Sequence, residues 1–120
     1  KDGEEFKGFA DFITVDGVIV DNKVKKRNVT PDLTRDLQLV KYADMANVDK
    51  VGMAVVQDIA TPRTFYHHAE VTQDDKDRVN KRIEHVKSGI ANKVFMPAPE
   101  GSWACTQKWC SFWEICEFGK

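Results

Sequence analysis

Short apolar runs and stretches with helical spacing alternate along the chain, and this pattern predicts an α/β protein. Two apolar runs near the start, residues 8–13 and 18–23, predict adjacent strands that each carry an aspartate. Residues 51–58 and 64–71 predict two more strands, separated by a turn that contains Pro62. Together with the helices between and after them, these strands predict a mixed central sheet of about four strands.

Two helices are predicted to flank this sheet, and both have recognisable start signals. Thr30 can cap a helix that has a proline at its first position, and this helix is predicted to span residues 31–47. Thr72 and Asp75 form a capping box that begins the second helix, and Gly89 is predicted to end it. The predicted apolar stripes are Leu33, Leu37 and Val40 in the first helix and Val79, Ile83 and Val86 in the second.

The loop between the first two strands determines whether their two aspartates share a face of the sheet. A two-residue loop would place Asp11 opposite Asn22, which lies on the other face. A three-residue loop with Gly17 in the left-handed conformation places Asp11 directly opposite Asp21. We expect the three-residue loop, which sets the two aspartates about 4.5–5.5 Å apart at Cβ, a separation that suits two ligands of one metal ion.

A lysine follows the second aspartate at a spacing that keeps both on one face. Side chains alternate along a strand, so Asp21 and Lys23 lie on the same side of the sheet. Two carboxylates can hold a hard divalent cation, and an ammonium beside them can orient water or stabilise phosphate charge. A solvated hairpin with ordinary surface charges is the alternative interpretation. The flanking apolar residues favour carboxylates at the edge of a core, where each needs a partner.

Composition describes one ordinary globular domain rather than a specialised class of protein. Of the 120 residues, 42% are hydrophobic and 31% are charged, and the net charge is −1. This balance does not by itself indicate a nucleic-acid-binding protein, but acidic metal ligands can offset a local basic cluster. No apolar run reaches membrane-spanning length, and the start at Lys1 without a methionine predicts a fragment of a longer protein. The basic cluster follows the second strand and consists of Lys23, Lys25, Lys26 and Arg27.

The C-terminal tail contains all three cysteines of the chain, interspersed with aromatic residues. These residues are Cys105, Cys110 and Cys116. Thiolates at such spacing can ligate zinc or an iron–sulfur cluster, although either usually takes four ligands and the tail contains no histidine. The alternatives are buried free cysteines in an aromatic cluster, or one disulfide with one free thiol. We favour metal ligation over these alternatives.

Three motifs in a fixed order resemble a known family. Gly8-x-x-Asp11, Val20-Asp21-Asn22-Lys23 and Gln38-x-x-x-Tyr42 resemble motifs of the RecB-type branch of the PD-(D/E)xK nuclease superfamily. In that branch a strand aspartate, a (D/E)xK triplet and a helical Gln-x-x-x-Tyr recur in this order. The cysteine tail is similar to that of the iron–sulfur nucleases of the branch, which include AddB-like and CRISPR-adaptation enzymes. The resemblance extends over most of the chain and implies a restriction-endonuclease-like core.

The resemblance implies a role for each matching residue. Asp11, Asp21 and the backbone carbonyl of Asn22 would bind Mg²⁺ or Mn²⁺. Lys23 would position the attacking water or stabilise the charge that develops on the phosphate, and Gln38 would support the catalytic site. The residues predicted to contact the DNA backbone are Lys25, Lys26, Arg27 and Tyr42. The predicted cluster ligands are Cys105, Cys110 and Cys116.

Two features common in that family have no counterpart in this chain. The family commonly has an acidic or histidine ligand on a helix upstream of the first strand, and its cluster-bearing members take a fourth cysteine from the same region. We therefore expect residues 1–120 to be a single nuclease-like domain that lacks its N-terminal helical part, with a cysteine and aromatic tail at residues 103–118. A 4Fe-4S cluster would need its fourth ligand from the missing segment.

The implied function is a metal-dependent DNA nuclease, expected to be an exonuclease, that acts in recombination, repair or phage replication. Its expected partners are DNA and recombination or replication proteins, in the cytoplasm of a bacterial or phage-infected cell. Two other classes of function stay open: a non-catalytic nucleic-acid-binding domain with a degenerate nuclease core, and a zinc-stapled interaction module. Magnesium dependence indicates the nuclease, bound zinc indicates the interaction module, and neither indicates the binding domain.

Overall fold

The computed structural model describes residues 5–27 and 30–119, and its elements follow the predicted α/β order. The strands are β1 (Phe12–Ile13), β2 (Val18–Lys25), β3 (Lys50–Gln57) and β4 (Arg63–Glu70). The helices are a 3₁₀ turn (Leu33–Arg35), α1 (Leu37–Ala46) and α2 (Gln73–Ala91). None of the helices in the two described ranges is both long and apolar enough to span a membrane.

The four strands form one mixed sheet in the order β1-β2-β3-β4. The pairs β1–β2 and β3–β4 are antiparallel, and β2–β3 is parallel. A parallel pair needs a long crossover, which the segment containing α1 supplies, whereas an antiparallel pair needs only a short turn. The predicted α/β class, with a mixed sheet, two helices and an irregular cysteine-rich tail, is confirmed.

The loop of the β1–β2 hairpin has the predicted three residues. The Thr14 N–H donates to the Val18 carbonyl at 2.9 Å, and Gly17 adopts the left-handed conformation with a φ of 81°. Phe12 consequently lies opposite Val20. The predicted register of the two strands is therefore confirmed.

The first strand is shorter than residues 8–13, the range predicted from its apolar run. Only Phe12 and Ile13 pair with β2, and their side chains are exposed, as is that of Phe9. Immediately before β1 the carboxylate of Asp11, rather than a main-chain carbonyl, accepts the next N–H of β2. The Asp11 carboxylate therefore replaces the main-chain carbonyl that would otherwise accept this hydrogen bond, and the regular pairing of β1 with β2 ends here.

The main hydrophobic core lies on one face of the sheet, and on β2 Val18 and Val20 are buried on the opposite face as well. Ile19 on β2 and Val51, Met53 and Val55 on β3 are all 3% exposed or less. Their partners in the same cluster are Leu33, Leu39, Val40, Ala43, Val71 and Val79. Burying each large side chain contributes about 1.5–3 kcal/mol relative to leaving it in water. We call the face of the sheet that carries this cluster the helix-covered face. Val86, predicted to belong to the apolar stripe of α2, is instead exposed.

Helix α1 begins at Leu37, six residues later than predicted. Its N-cap is Asp36, whose Oδ1 accepts the Leu39 N–H at 3.0 Å. The prediction that Thr30 and Pro31 start this helix is wrong, because the 3₁₀ turn forms a separate element between them and α1. An aspartate directly before the apolar helical pattern satisfies the free N–H groups of the first turn, which Thr30 is too far away to do.

The remaining helix boundaries follow the sequence signals in part. Asn47, in the left-handed conformation, ends α1 as predicted. The capping box of α2 is confirmed, because the Thr72 N–H donates to Asp75 Oδ2 at 2.9 Å and the Asp75 N–H donates to Thr72 Oγ1 at 3.2 Å. The predicted end at Gly89 is wrong, since α2 continues for two more residues before the left-handed Lys93.

A polar network joins α1 to the first half of α2. Lys41 Nζ donates to Asn80 Oδ1 at 2.7 Å and to Asp44 Oδ2 at 3.2 Å, and Asn80 Nδ2 donates to the same carboxylate at 3.0 Å. Burial raises the pKa of Asp44, but the hydrogen bonds from Asn80 and Lys41 outweigh it and leave that pKa below its ordinary value. The network therefore ties α1 to α2 through side chains of both helices.

The chain divides into two compact units, with the boundary inside α2 between Glu84 and His85. The first unit contains the sheet and α1. The second contains the tail, which is built from successive turns. Trp103 and Trp109 pack edge to face in the tail, with ring centroids 6.1 Å apart. The three half-buried cysteines form no disulfide with one another.

Candidate active site

Asp11 lies just before β1, beside the part of β2 that carries Asp21 and Asn22. The β1–β2 pairing ends at Phe12 and Val20, and Asp11 and Asp21 are the next residues outward on the two strands. Asp11 Oδ2 accepts the Asn22 N–H at 2.7 Å. The N–H and C=O of one strand residue point to the same side of the strand, so the Asn22 carbonyl faces the side on which Asp11 lies. Two carboxylates and one carbonyl are therefore brought to one end of the hairpin.

Lys23, the third residue of the Asp-x-Lys triplet, forms an ion pair with the first. Its Nζ lies 2.9 Å from Asp21 Oδ2, and the two side chains are 39% and 15% exposed respectively. The hydrogen bond to Asp21 and the charge of that carboxylate, followed by the charges of Asp36 and Asp11, raise the pKa of Lys23. Lys23 therefore stays protonated, which suits it to stabilise negative charge on a phosphate rather than to accept a proton from water.

Asp36 belongs to the electrostatic surroundings of this site and was not predicted from the sequence. Its negative charge acts on Lys23, while its carboxylate also caps α1 through the Leu39 N–H. The signal was present, because an aspartate before an apolar helical pattern is a start signature. The Thr30-Pro31 pair is a start signature as well, and it predicts an earlier helix start than the one observed.

Gln38 and Tyr42 lie one turn apart on α1 and contact each other. Gln38 Nε2 donates to the Tyr42 hydroxyl at 3.2 Å. The Tyr42 ring packs against Gly8, where an added Cβ would lie 3.0 Å from Cζ and closer still to Cε1. The first and third motifs of the sequence therefore touch. In the described part of the chain, neither Gln38 nor Tyr42 hydrogen-bonds to Asp21 or Lys23, so their roles stay predictions.

The basic residues after the triplet lie at the end of β2. Lys25 shares the face of the Asp21–Lys23 pair because side chains alternate along the strand. Lys26 and Arg27 follow directly and are exposed. Gln57 Nε2 donates to the Lys26 carbonyl at 3.2 Å, which holds this segment against the end of β3. Contact between these residues and DNA stays a prediction.

The oxygen donors fit a hard divalent cation of the magnesium type. Such an ion is usually held through one or two carboxylates, with water and substrate phosphate completing its coordination. Asp11, Asp21 and the Asn22 carbonyl meet this requirement, with Lys23 beside them. In residues 5–27 and 30–119, no group of three or more His, Cys, Asp or Glu side chains is placed to hold a metal ion. Two carboxylates and one carbonyl would leave the remaining coordination positions of such an ion to water and substrate.

The three cysteines do not form a metal centre by themselves. Cys105, Cys110 and Cys116 are half-buried at separate turns of the tail, and the absence of any metal-binding group in the described ranges includes them. A 4Fe-4S cluster takes four thiolates, so the tail alone does not fit one. The cluster stays a prediction that needs a further ligand.

A comparison with known protein families identifies the nuclease core independently of the geometry. The family model described as the PD-(D/E)XK nuclease superfamily matches residues 3–117. No curated protein and no solved structure matches this sequence. The match is to the superfamily as a whole, so the RecB-type branch stays a prediction. Because the matched range covers nearly the whole chain and includes Asp11, Asp21 and Lys23, this protein belongs to the PD-(D/E)XK nuclease superfamily.

Proposed function

We propose that this chain is a Mg²⁺- or Mn²⁺-dependent deoxyribonuclease that hydrolyses phosphodiester bonds at the Asp11–Asp21 site. Membership of the superfamily implies nuclease activity in general. One observation supports the finer proposal: Asp11 Oδ2 accepts the Asn22 N–H at 2.7 Å, which holds Asp11 against the strand on which Lys23 Nζ lies 2.9 Å from the Asp21 carboxylate. Hard oxygen donors beside a fixed cation suit the chemistry of a negatively charged phosphodiester.

Each residue of the site has a separate task in this proposal. Asp11, Asp21 and the Asn22 carbonyl would hold the ion. A divalent ion bound there lowers the pKa of water and neutralises charge on the phosphate. Lys23 keeps its proton at Nζ and donates hydrogen bonds to a phosphate oxygen or to the attacking water. The Asp11 bond to the Asn22 N–H orients its carboxylate before substrate arrives.

The surrounding residues bind and orient the substrate. Gln38 supports the catalytic site from α1. The residues that contact the DNA backbone are Lys25, Lys26, Arg27 and Tyr42. None of the three basic side chains forms an ion pair within the described part of the chain, which leaves their charges available to phosphates.

The biological setting is proposed from the order of the sequence motifs. Residues 1–120 act as one nuclease-like domain, and its action on DNA is exonucleolytic, in recombination, repair or phage replication. Its partners would be proteins of those processes in the cytoplasm of a bacterial or phage-infected cell. A 4Fe-4S cluster would be held by Cys105, Cys110 and Cys116 together with a ligand from an upstream segment.

Cleavage assays on labelled linear and circular DNA test the proposal. This chain and the longest product of its gene are incubated with Mg²⁺, Mn²⁺ or EDTA. We expect cleavage of linear DNA only with metal, resistance of circular DNA, and loss of cleavage in Asp21→Asn. The matched control is Asp77→Asn, which removes an exposed carboxylate of α2. Full activity of Asp21→Asn would refute the site. DNA binding without cleavage would indicate the binding domain, and bound zinc without DNA binding would indicate the interaction module.

A further inference from the structure

A row of polar and basic residues crosses the sheet beyond the candidate active site. The strand register pairs Lys25 of β2 with Gln57 of β3, and Gln57 with Arg63 of β4. We propose that Arg63 extends the nucleic-acid-binding surface, so that the bound strand runs from the Asp11–Asp21 site along β2 and then across β3 to β4. This proposal rests on the proposed nuclease function and names the path of its substrate.

The row lies on the same face of the sheet as the catalytic pair. Lys23 and Lys25 are separated by two residues, and side chains two apart on a strand point to one face. Phe65, two residues after Arg63, packs against the hydrophobic core, so Arg63 also belongs to the helix-covered face. Arg63 itself is exposed. It lies opposite Gln57, two residues beyond Val55, which is the last core residue of β3.

Some cations near the core have a carboxylate partner, whereas in the described part of the chain those at this end of the sheet do not. Arg78 lies 2.8 Å from Asp75, and Lys76 lies 2.7 Å from Asp49. In residues 5–27 and 30–119, by contrast, no carboxylate lies within ion-pair distance of Arg63. The same holds for Lys25, Lys26 and Arg27. Four cations without an ion-pair partner among the described residues lie at one sheet end, where Asp58 follows β3, and this excess of positive charge favours an anionic polymer as the ligand.

The backbone beneath these charges is fixed. Gln57 uses its amide to bind the Lys26 carbonyl at 3.2 Å, and the Asp58 N–H donates to the Lys25 carbonyl at 2.9 Å. Gln57 is therefore a positioning residue that ties the end of β2 to β3. Arg63, on the far side of Gln57, supplies the guanidinium fork that suits a phosphate.

The dimensions of the sheet set the length of substrate that reaches Arg63. Four residues along β2 from Asp21 to Lys25 span about 13 Å, and two strand spacings from β2 to β4 add about 9.5 Å across. The diagonal is about 16 Å, several times the 3.4 Å axial rise of one nucleotide in a duplex strand. The surface therefore fits a polynucleotide rather than a single nucleotide.

Equilibrium binding of a 20-nucleotide fluorescent DNA in EDTA tests this path without depending on cleavage. We expect Arg63→Gln to weaken binding about threefold to tenfold and to lower the slope of log affinity against log salt by about 0.7–0.9, the value for one lost phosphate contact. Arg63→Lys keeps the charge and should retain most of the affinity. Arg82→Gln, which removes an exposed charge on α2, is the matched control, and circular dichroism confirms that each variant is folded.

Two results would overturn the path, and a third separates it from the proposed function. Unchanged affinity in Arg63→Gln, or an equal loss in Arg82→Gln, would show that Arg63 makes no specific phosphate contact. If wild-type protein never cleaves DNA but its binding depends on Arg63, the nuclease proposal fails while the binding surface stands. If Asp21→Asn loses cleavage and keeps the Arg63-dependent binding, both proposals are supported.

Discussion

Replacing Gly17 by alanine tests whether the loop conformation sets the candidate metal site. Gly17 has a φ of 81°, in the left-handed region. A Cβ at this position would meet only Val48 Cγ1 at 3.7 Å, which is an ordinary van der Waals contact. The cost of the substitution therefore comes from the backbone conformation and not from packing.

The expected magnitude follows from two opposing terms. A residue with a Cβ costs about 1–2 kcal/mol in the left-handed region. Alanine also has fewer unfolded conformations than glycine, which offsets about 0.4–1 kcal/mol. The net loss in the free energy of unfolding is about 1 kcal/mol, or about 4 °C in Tm for a domain of this size. Gly17→Asn should lose less, because asparagine tolerates this conformation.

Thermal unfolding and Mn²⁺ titration of the same samples provide the assay. Gly101→Ala is the control, because Gly101 also has a positive φ, 77°, with no atom within 4 Å of an added Cβ, and lies in the second unit. Both variants should lose stability, but only Gly17→Ala should weaken Mn²⁺ binding, since its strain falls on the loop that aligns the strand after Asp11 with the strand that carries Asp21. Unchanged stability and Mn²⁺ affinity in Gly17→Ala, or equal weakening in Gly101→Ala, would refute the reasoning.

Three further predictions concern the ion pair, the helix cap and acid stability. Lys23→Ala should reduce kcat for DNA cleavage more than DNA affinity, and equal losses would indicate a simple phosphate contact. Asp36→Ala should cost about 1 kcal/mol in urea unfolding through loss of the α1 cap while Asp36→Asn keeps it; equal destabilisation would exclude the cap. In the folded protein the pKa values of Asp44 and Asp75 lie below the ordinary aspartate value. The two ionised carboxylates therefore stabilise the fold fully above the pKa of an unfolded aspartate, and this stabilisation is lost as the pH falls through their lowered pKa values. Tm should therefore fall below about pH 4, and less steeply in Asp44→Asn; a Tm that stays constant down to about pH 2 would contradict this.

Local chemistry made the hairpin predictable. The three-residue loop ending in Gly17 fixes which residues face each other, and this register follows from turn geometry without any long-range contact. The pairing of Phe12 with Val20 could therefore be predicted from the sequence, and the facing of Asp11 and Asp21 stays a prediction built on it. The length of β1 could not be predicted, because the Asp11 side chain replaces a backbone acceptor of the ladder.

Two kinds of feature could not be predicted from the sequence. One is the choice between competing helix-start signals, and the other is the alignment of residues on strands that are distant in the sequence. Thr30-Pro31 and Asp36 are both helix-start signals, and the sequence does not show which of them α1 uses; in the structure Asp36 is the cap. Arg63 joins the row of Lys25 and Gln57 only through the pairing of β2 with β3 and of β3 with β4. A single-residue change in either register would have moved Arg63 to the opposite face.

The central claim is that Asp11 and Asp21 bind one divalent cation together. Calorimetric titration of Mn²⁺ into the wild type, Asp11→Asn, Asp21→Asn and the double variant tests it most directly. We expect one site in the wild type, weakened at least about tenfold in each single variant and weakened further in the double variant, because each carboxylate is a ligand of the same ion. Unchanged binding in either single variant, or a second site that survives in the double variant, would contradict the claim.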